Sequence, residues 1–244
     1  MAQVCIFEDD KVGQLNPLVY ATPAYELRCG IKTLREKIQD LYPKENFALH
    51  CRSYLADCLK TRTSLPVNQL AQENTLFING RAFADFKLAK EIPVKGEPAI
   101  YMKGNTLIAA RVDKKNIKKI KLGDTLSKKN FVGKEINAEV TVIDYFWDFL
   151  RLNADTISKD SIDTYLLGKT LSPVESSVFM VNKEHIFVGK DVTIKPGVVL
   201  DATNGPIFID NNACILPNVT IMGPVYIGFK TVIKCGAKIY GGTT

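Results

Sequence analysis

The sequence predicts two parts: an α/β domain over residues 1–167 and a left-handed parallel β-helix over residues 184–244, joined by a connector at 168–183. Two observations predict this fold class. Aliphatic residues recur every six positions near the C-terminus, and short apolar runs alternate with helical patterns before residue 167. A chain of 244 residues with 46% hydrophobic content can bury the cores that both parts require.

The six-residue period carries the β-helix prediction. The spacing holds over two runs, separated by one interval of nine residues, and every position in it is Ile, Leu or Val. We therefore expect each hexapeptide to form one short strand and one corner, with three hexapeptides in each triangular coil and the aliphatic column buried. The positions are Val188, Ile194, Leu200, Ile209, Ile215, Ile221, Ile227, Ile233 and Ile239.

Other positions of the repeat favour the β-helix over ordinary alternating strands in a sandwich. The residue four places after each aliphatic is mostly small, as a tight interior requires. The interval 201–209 contains Gly205-Pro206 and predicts a corner insertion of three residues. Glycine or asparagine, which tolerate unusual backbone angles, often stands three places after the aliphatic. These predicted corner residues are Gly197, Asn212, Asn218, Gly236 and Gly242.

The repeat stops on a corner, Gly241-Gly242, where the next aliphatic residue would begin. An uncapped last coil exposes unpaired backbone groups. We therefore expect an incomplete β-helix in a chain truncated from a longer protein, or another subunit or neighbouring molecule that covers this end.

The first part alternates apolar runs with turn residues. Gly104-Asn105 predicts a tight hairpin between 99–103 and 106–111. Four short apolar runs bounded by polar or turn residues predict further strands. These runs are 4–7, 47–49, 75–78 and 140–143.

Two helices are predicted in the same part. The first lies between the first two strands, has one apolar face, and begins with Thr33 and Glu36 spaced as a capping box. The second begins at Phe146, and we expect Trp147 and Leu150 in its core-facing side.

Composition excludes several classes of protein. The net charge of +6, from 32 basic and 26 acidic residues, is small for a dedicated nucleic-acid binder. No run of eighteen apolar residues exists and the first ten residues include acids, so we expect neither a membrane span nor a signal peptide, and a cytoplasmic protein. The six cysteines form no Cys-x-x-Cys pair, which argues against a zinc site or a disulfide framework.

A glycine and several bases surround the predicted start of the first helix, where free backbone donors favour anions. Arg28 and Gly30 are the candidate phosphate ligands, with Lys32 and Arg35 behind them. The alternative is that Gly30 only breaks the chain and the bases are solvated. The lysine-rich segment 113–134 is either a solvated excursion or a surface that attracts phosphorylated substrate.

Five sequence words carry a resemblance to a known family: CIFED, TPAYELRCGIKTLREK, TLFINGR, KPGVVLDATNGPIFI and GPVYIG. They resemble a divergent bacterial group of GlmU-like sugar nucleotidyltransferases with hexapeptide repeats. The resemblance implies a nucleotide-diphospho-sugar-transferase-like domain that transfers a nucleotidyl group to a sugar 1-phosphate in UDP-N-acetylglucosamine biosynthesis. It also implies a homotrimer through the β-helix, and acetyl transfer from acetyl-CoA to glucosamine 1-phosphate in the full-length protein.

The chain departs from the pattern of that family at three places. Glu8, Asp9 and Asp10 stand where a glycine-rich loop would follow the first strand, and Pro23-Ala24 replaces a Pro-Lys pair. The turn whose aspartate would hold magnesium is Asn79-Gly80-Arg81 here. We therefore expect rearranged substrate-binding groups, with Arg28 and Arg81 neutralising phosphates beside Asn79 and Gly80, and Asp9 or Asp10 holding Mg²⁺.

The acetyl-transfer half lacks its expected base. Of the two histidines, His50 lies in the first part and His185 immediately precedes Val188, the first aliphatic position of the coils, so we expect the acetyltransferase residues beyond Thr244. Two alternatives remain open: an acyltransferase whose N-terminal domain only binds substrate, and a non-enzymatic oligomeric scaffold.

Overall fold

The computed structural model of the protein describes residues 2–244 and divides into two compact units. The first comprises the chain up to Leu27 together with Thr33–Asp148, and the second comprises Arg28–Lys32 together with Phe149–Thr244. The sequence limits at 167 and 183 stay a prediction.

Twelve strands and helices span the chain up to residue 163. They are β1 (Gln3–Phe7), β2 (Arg28–Cys29), β3 (Lys32–Thr33), α1 (Leu34–Leu41), β4 (Asn46–Leu49), α2 (Ser53–Lys60), β5 (Thr75–Asn79), α3 (Phe86–Glu91), β6 (Ala99–Lys103), β7 (Thr106–Val112), β8 (Lys134–Asn137) and α4 (Phe146–Asp163).

A six-stranded sheet in the order β4-β1-β5-β7-β6-β8 forms the centre of the first unit. Strand β1 is parallel to both β4 and β5, while β7 is antiparallel to β5 and β6. All five residues of β1 are buried, as expected for a strand that is covered on both faces. Because β4, β1 and β5 run in the same direction, their carboxyl ends meet at one edge of the sheet.

Most elements predicted for the first unit are confirmed. Strands cover 4–7, 47–49 and 75–78, and the hairpin lies at 99–103 and 106–111. At the start of α1 the Thr33 hydroxyl accepts from the Glu36 amide, and the Glu36 carboxylate accepts from the Thr33 amide, which forms the predicted capping box.

Two local predictions are wrong. Residues 140–143 are not a strand: Val142 forms a single antiparallel bridge with Ala82, because this segment pairs only with the backbone just after β5. The side chains of Trp147 and Leu150 are 41% and 73% exposed. The buried face of α4 begins instead at Phe149 and continues at the spacing of one helix face. Its buried residues are Phe149, Asn153, Thr156, Ile157 and Ser161.

The second unit contains three sheets of short parallel strands. Each sheet takes every third strand of the chain, in the orders β10-β13-β16, β11-β14-β17 and β18-β15-β12-β9, an arrangement compatible with a β-helix. The strands are β9 (Phe179–Val181), β10 (Ile186–Val188), β11 (Thr193–Ile194), β12 (Val199–Asp201), β13 (Ile207–Ile209), β14 (Cys214–Ile215), β15 (Thr220–Met222), β16 (Val225–Ile227), β17 (Val232–Ile233) and β18 (Lys238–Ile239).

The predicted aliphatic column forms the core of these sheets. Eight of the nine positions are buried and Ile239 is half-buried. All five predicted corner residues have positive φ, from 59° at Asn212 to 85° at Gly242. Ile186 pairs with Ile207, 21 residues on, whereas the next pairing step from Ile207 is 18 residues, which confirms an insertion of three residues between β12 and β13.

No helix within residues 2–244 combines the length and the apolar character needed to cross a membrane.

Substitution of one column residue tests this core. We expect Ile215→Ala to lower the free energy of unfolding by about 2–5 kcal/mol, because the lost methyl groups leave a cavity that the surrounding strands cannot fill. Urea denaturation followed by circular dichroism measures the loss. Val232→Ala on the neighbouring strand, where the side chain is 52% exposed, is the matched control and should change stability by less than about 0.5 kcal/mol. Equal losses in the two variants would contradict a buried column.

Candidate functional site

The carboxyl edge of β4, β1 and β5 is the candidate site. Strand β4, the next parallel strand along the chain, lies on one flank of β1 and β5 lies on the other, so the strand order reverses at β1, and ligands in α/β sheets bind outside the strand ends at such a point. Charged residues follow each of the three strands: Glu8, Asp9 and Asp10 after β1, Arg52 after β4, and Arg81 after β5.

A fully buried ion pair joins the ends of β1 and β5. Arg81 donates from Nε to Asp9 Oδ1 at 2.8 Å and from Nη2 to Asp9 Oδ2 at 2.6 Å, so the contact is bidentate. Its Nη1 donates to the Ile143 carbonyl at 2.8 Å and to Asp144 Oδ1 at 3.1 Å. Burial opposes the charged guanidinium, but the hydrogen bonds and charges of Asp9 and Asp144 outweigh it and raise the pKa of Arg81. The charge of Arg81 is therefore balanced within the protein.

A second acid–arginine pair joins the ends of β1 and β4. Arg52 donates to the buried carboxylate of Glu8 from Nε at 3.0 Å and from Nη2 at 3.1 Å. The same carboxylate accepts from the backbone amides of Arg52 and Ala24, each at 3.1 Å. The two acids that directly follow β1 are thus neutralised by arginines from the neighbouring strand ends.

Gly80 lets an aromatic ring pack over the end of β5. Its amide donates to the Phe7 carbonyl at 2.8 Å, and a Cβ at this position would lie only 2.7 Å from Cδ1 of Tyr25. Tyr25 is fully buried, and burial, together with nearby Cys51 and Glu8, raises the pKa of its hydroxyl well above the ordinary value. Gly80 is required here by close packing.

The imidazole of His50 is buried beside the same edge. Its Nε2 accepts from the Gly123 amide at 3.3 Å, and within residues 2–244 its Nδ1 has no hydrogen-bond partner. Burial lowers the pKa of His50 to about 4, and Asp124 opposes that shift only in part. His50 is therefore neutral at pH 7 and cannot serve as a cation for phosphate.

The structure brings Asp9, Asn79, Gly80 and Arg81 together at this edge. The Asn79 amide is already used, because its Nδ2 donates to the Leu107 carbonyl at 2.7 Å and its Oδ1 accepts from the Arg81 amide at 2.9 Å. Arg35 lies on α1, where it pairs with Glu26 at 2.5 Å. The predicted substrate-binding roles of these residues stay predictions.

Three other predicted phosphate ligands, Arg28, Gly30 and Lys32, belong to the second unit. The Gly30 amide donates to Asn153 Oδ1 at 2.7 Å, so the donor expected for phosphate is occupied by a side chain of α4. The guanidinium of Arg28 lies 5.4 Å from the centroid of the Tyr226 ring and also donates to the Ile31 carbonyl. Lys32 is half-buried. Phosphate binding by this segment stays a prediction.

Magnesium ligation was predicted at Asp9 or Asp10. Both carboxylate oxygens of Asp9 accept hydrogen bonds from Arg81, so Asp9 does not fit a metal ligand unless that pair opens. Asp10 is exposed. Within residues 2–244 no three His, Cys, Asp or Glu side chains are grouped so that they could hold a metal ion. The metal site stays a prediction.

Sequence reasoning missed four residues of this edge. Glu8, Arg52 and Asp144 carry no predicted role in the sequence, yet each takes part in the ion pairs of this edge. Lys11 was missed too, although it directly follows the acids after β1; its Nζ donates to the neutral hydroxyl of Thr106 at 2.8 Å. Their positions in the sequence could have indicated these residues. Glu8, Lys11 and Arg52 lie within four residues of a strand end, and Asp144 follows Ile143, whose carbonyl accepts from Arg81.

Residues 4–164, more than half of the chain, match the family model described as sugar nucleotidyl transferase. No curated protein matches the chain.

Removing one partner of the buried pair tests its role. We expect Arg81→Met to lower the free energy of unfolding by about 3–5 kcal/mol, because Asp9 would stay buried without a counter-charge. Urea denaturation measures this loss. Lys60→Met, which removes an exposed pair with Asp57, is the control and should change stability by less than about 0.5 kcal/mol. The double variant Asp9→Leu/Arg81→Met should regain most of the loss, and a double variant as unstable as Arg81→Met would contradict this account.

The buried His50 predicts a pH dependence. Its pKa is lowered from 6.5 to about 4 on folding, so the unfolded chain binds more protons between those values. Stability should be full above about pH 6.5 and fall by up to roughly 3 kcal/mol as the pH decreases toward 4. Denaturation midpoints across this range measure the slope. His50→Gln should flatten it, and an unchanged slope in that variant would refute the assignment.

Proposed function

The chain belongs to the sugar nucleotidyl transferase family, and from this premise we propose that its first unit transfers a nucleotidyl group from a nucleoside triphosphate to a sugar 1-phosphate. A phosphate oxygen of the sugar 1-phosphate forms a bond to the α-phosphorus. The bond between the α-phosphorus and its bridging oxygen breaks, and pyrophosphate leaves with that oxygen.

The observation that carries the proposal is the charge arrangement at the carboxyl edge of β1. Three consecutive acids there would repel a triphosphate. Glu8 and Asp9 are instead neutralised by Arg52 and Arg81, in contacts of 2.6–3.1 Å. This pairing makes the edge compatible with a polyanionic ligand.

Lys11 is the residue we propose to bind phosphate. Its ammonium donates to a neutral hydroxyl, that of Thr106, so this contact leaves its positive charge unbalanced. It stands three residues beyond Glu8, at the place where a nucleotide approaches the end of the first strand in folds of this type. The residue can therefore stabilise charge on the transferred group and on the departing pyrophosphate.

The specific substrates that we propose are UTP and N-acetylglucosamine 1-phosphate, with UDP-N-acetylglucosamine as product. The support is the GlmU-like pattern of sequence words in both parts of the chain. We extend the proposal to the second unit as a left-handed parallel β-helix that assembles a homotrimer and, in the full-length protein, transfers an acetyl group from acetyl-CoA. Its support is the six-residue column and the parallel pairing of every third strand.

A second candidate is a first unit that binds nucleotide sugar without catalysis. The engagement of both Asp9 oxygens by Arg81 favours it, because the acid at the end of β1 is then unavailable for chemistry.

Pyrophosphate release tests the two candidates. We expect release with UTP and N-acetylglucosamine 1-phosphate, and a Lys11→Met variant that binds UTP about 10-fold more weakly, since a charge-assisted hydrogen bond is lost. Calorimetry measures the affinity. Lys60→Met is the matched control, because it makes the same substitution at the C-terminal end of α2. It should bind UTP as the unmodified chain does.

The outcomes separate the candidates. UTP binding without pyrophosphate release supports the binding module. Neither binding nor release, tested with each of the common nucleoside triphosphates, would overturn both.

A further inference from the structure

An aromatic cluster lies exposed immediately before and at the start of α4. Tyr145, Phe146 and Trp147 have 40%, 40% and 41% of their surface exposed, which is unusual for three consecutive large rings. The rings of Tyr145 and Trp147 are stacked, with centroids 4.6 Å apart and an angle of 12° between their planes. We call these two rings the aromatic stack.

Hydrogen bonds hold the backbone of the aromatic stack in place. Asp148 Oδ2 accepts from the amides of Asp144 at 3.0 Å and Tyr145 at 2.9 Å. The Ile143 amide donates to the Arg81 carbonyl at 2.9 Å, and Arg81 Nη1 donates back to the Ile143 carbonyl at 2.8 Å. The stack is therefore fixed to the residue that follows β5, and a ligand would not have to order it.

A carboxylate lies between the stack and the candidate site. Asp144 Oδ1 accepts from Arg81 Nη1 at 3.1 Å, while its side chain keeps 48% of its surface exposed. The buried pair of Arg81 with Asp9 then continues to the end of β1. A flat apolar surface and a hydrogen-bond acceptor thus stand side by side at the rim of the proposed nucleotide site.

We propose that the aromatic stack binds the nucleobase of the nucleoside triphosphate and is a specificity-determining surface of the nucleotidyl transfer. This inference rests on the proposed function. A planar base can continue an almost parallel column of two rings by π-stacking over its whole face, whereas a sugar ring could contact the column only through its C–H bonds. Base stacking is tolerant of base identity, so the surface selects nucleotides over free polyphosphate.

The chain offers a direct reporter for this contact. Trp147 is its single tryptophan, so fluorescence excited at wavelengths that the nine tyrosines do not absorb reports on the aromatic stack alone. Titration with UTP should quench this fluorescence in step with binding measured by calorimetry. Inorganic tripolyphosphate, which carries the phosphates without a base, and N-acetylglucosamine 1-phosphate should leave it unchanged.

Variants of the stack separate ring contact from general disturbance. Tyr145→Ala should weaken UTP binding about 10-fold, the typical effect of losing one base–aromatic contact, while its affinity for tripolyphosphate stays the same. Tyr145→Phe keeps the ring and should bind UTP normally. Phe229→Ala, which removes an aromatic side chain 57% exposed in the second unit, is the matched control and should change neither affinity.

The results distinguish this inference from the proposed function. UTP binding by calorimetry without quenching, and with full affinity in Tyr145→Ala, overturns the stacking while nucleotide binding stands. Quenching by the sugar phosphate instead of UTP overturns it as well and assigns the stack to the other substrate. Failure of UTP to bind at all, together with absent pyrophosphate release, is the result that removes the proposed function.

Discussion

Two buried carboxylates at the end of β1 constrain the rest of the candidate site. Glu8 and Asp9 are at most 1% exposed, and an ionised carboxylate cannot remain in such a place without a close counter-charge. Arg52 and Arg81 supply those charges from the ends of the two flanking strands. The two pairs therefore join three parallel strands at the edge where a ligand would bind, and they fix where the following loops begin.

The same constraint explains why arginine is acceptable where a metal-binding aspartate was expected. A guanidinium offers a rigid fork of donors, and Arg81 uses it on Asp9, Asp144 and the Ile143 carbonyl at once. A lysine could satisfy only part of that set. Segment 141–144 is thereby bound to the end of β5, and the aromatic stack that follows has a fixed position. Arg81, in the turn after β5, thus holds a segment 62 residues away in sequence.

The repeat was predictable from the sequence, and the charged edge was not. In the second unit the residues that define each strand and corner recur every six positions. The local sequence therefore predicts both the buried column position of Ile215 and the corner at Asn218. The partners at the sheet edge are separated by 44 residues for Glu8 and Arg52 and by 72 for Asp9 and Arg81. Nothing in the local pattern says which arginine meets which acid. The prediction that Trp147 faces the core was wrong for a related reason. An apolar residue type near a helix start does not show whether another part of the fold covers it.

Charge pairing also bears on how such an edge can act on a polyanion. A buried pair contributes little net stability, but it holds its partners rigidly once the strands are in place. The pairs leave Lys11, bonded to the neutral Thr106 hydroxyl, as a cation directly beyond the paired acids. A triphosphate arriving there meets the Lys11 ammonium beside two paired acids and, beyond Arg81, a carboxylate beside two flat rings. Phosphates and base would then be bound by different parts of one edge, so affinity for the phosphates and affinity for the base can be altered separately.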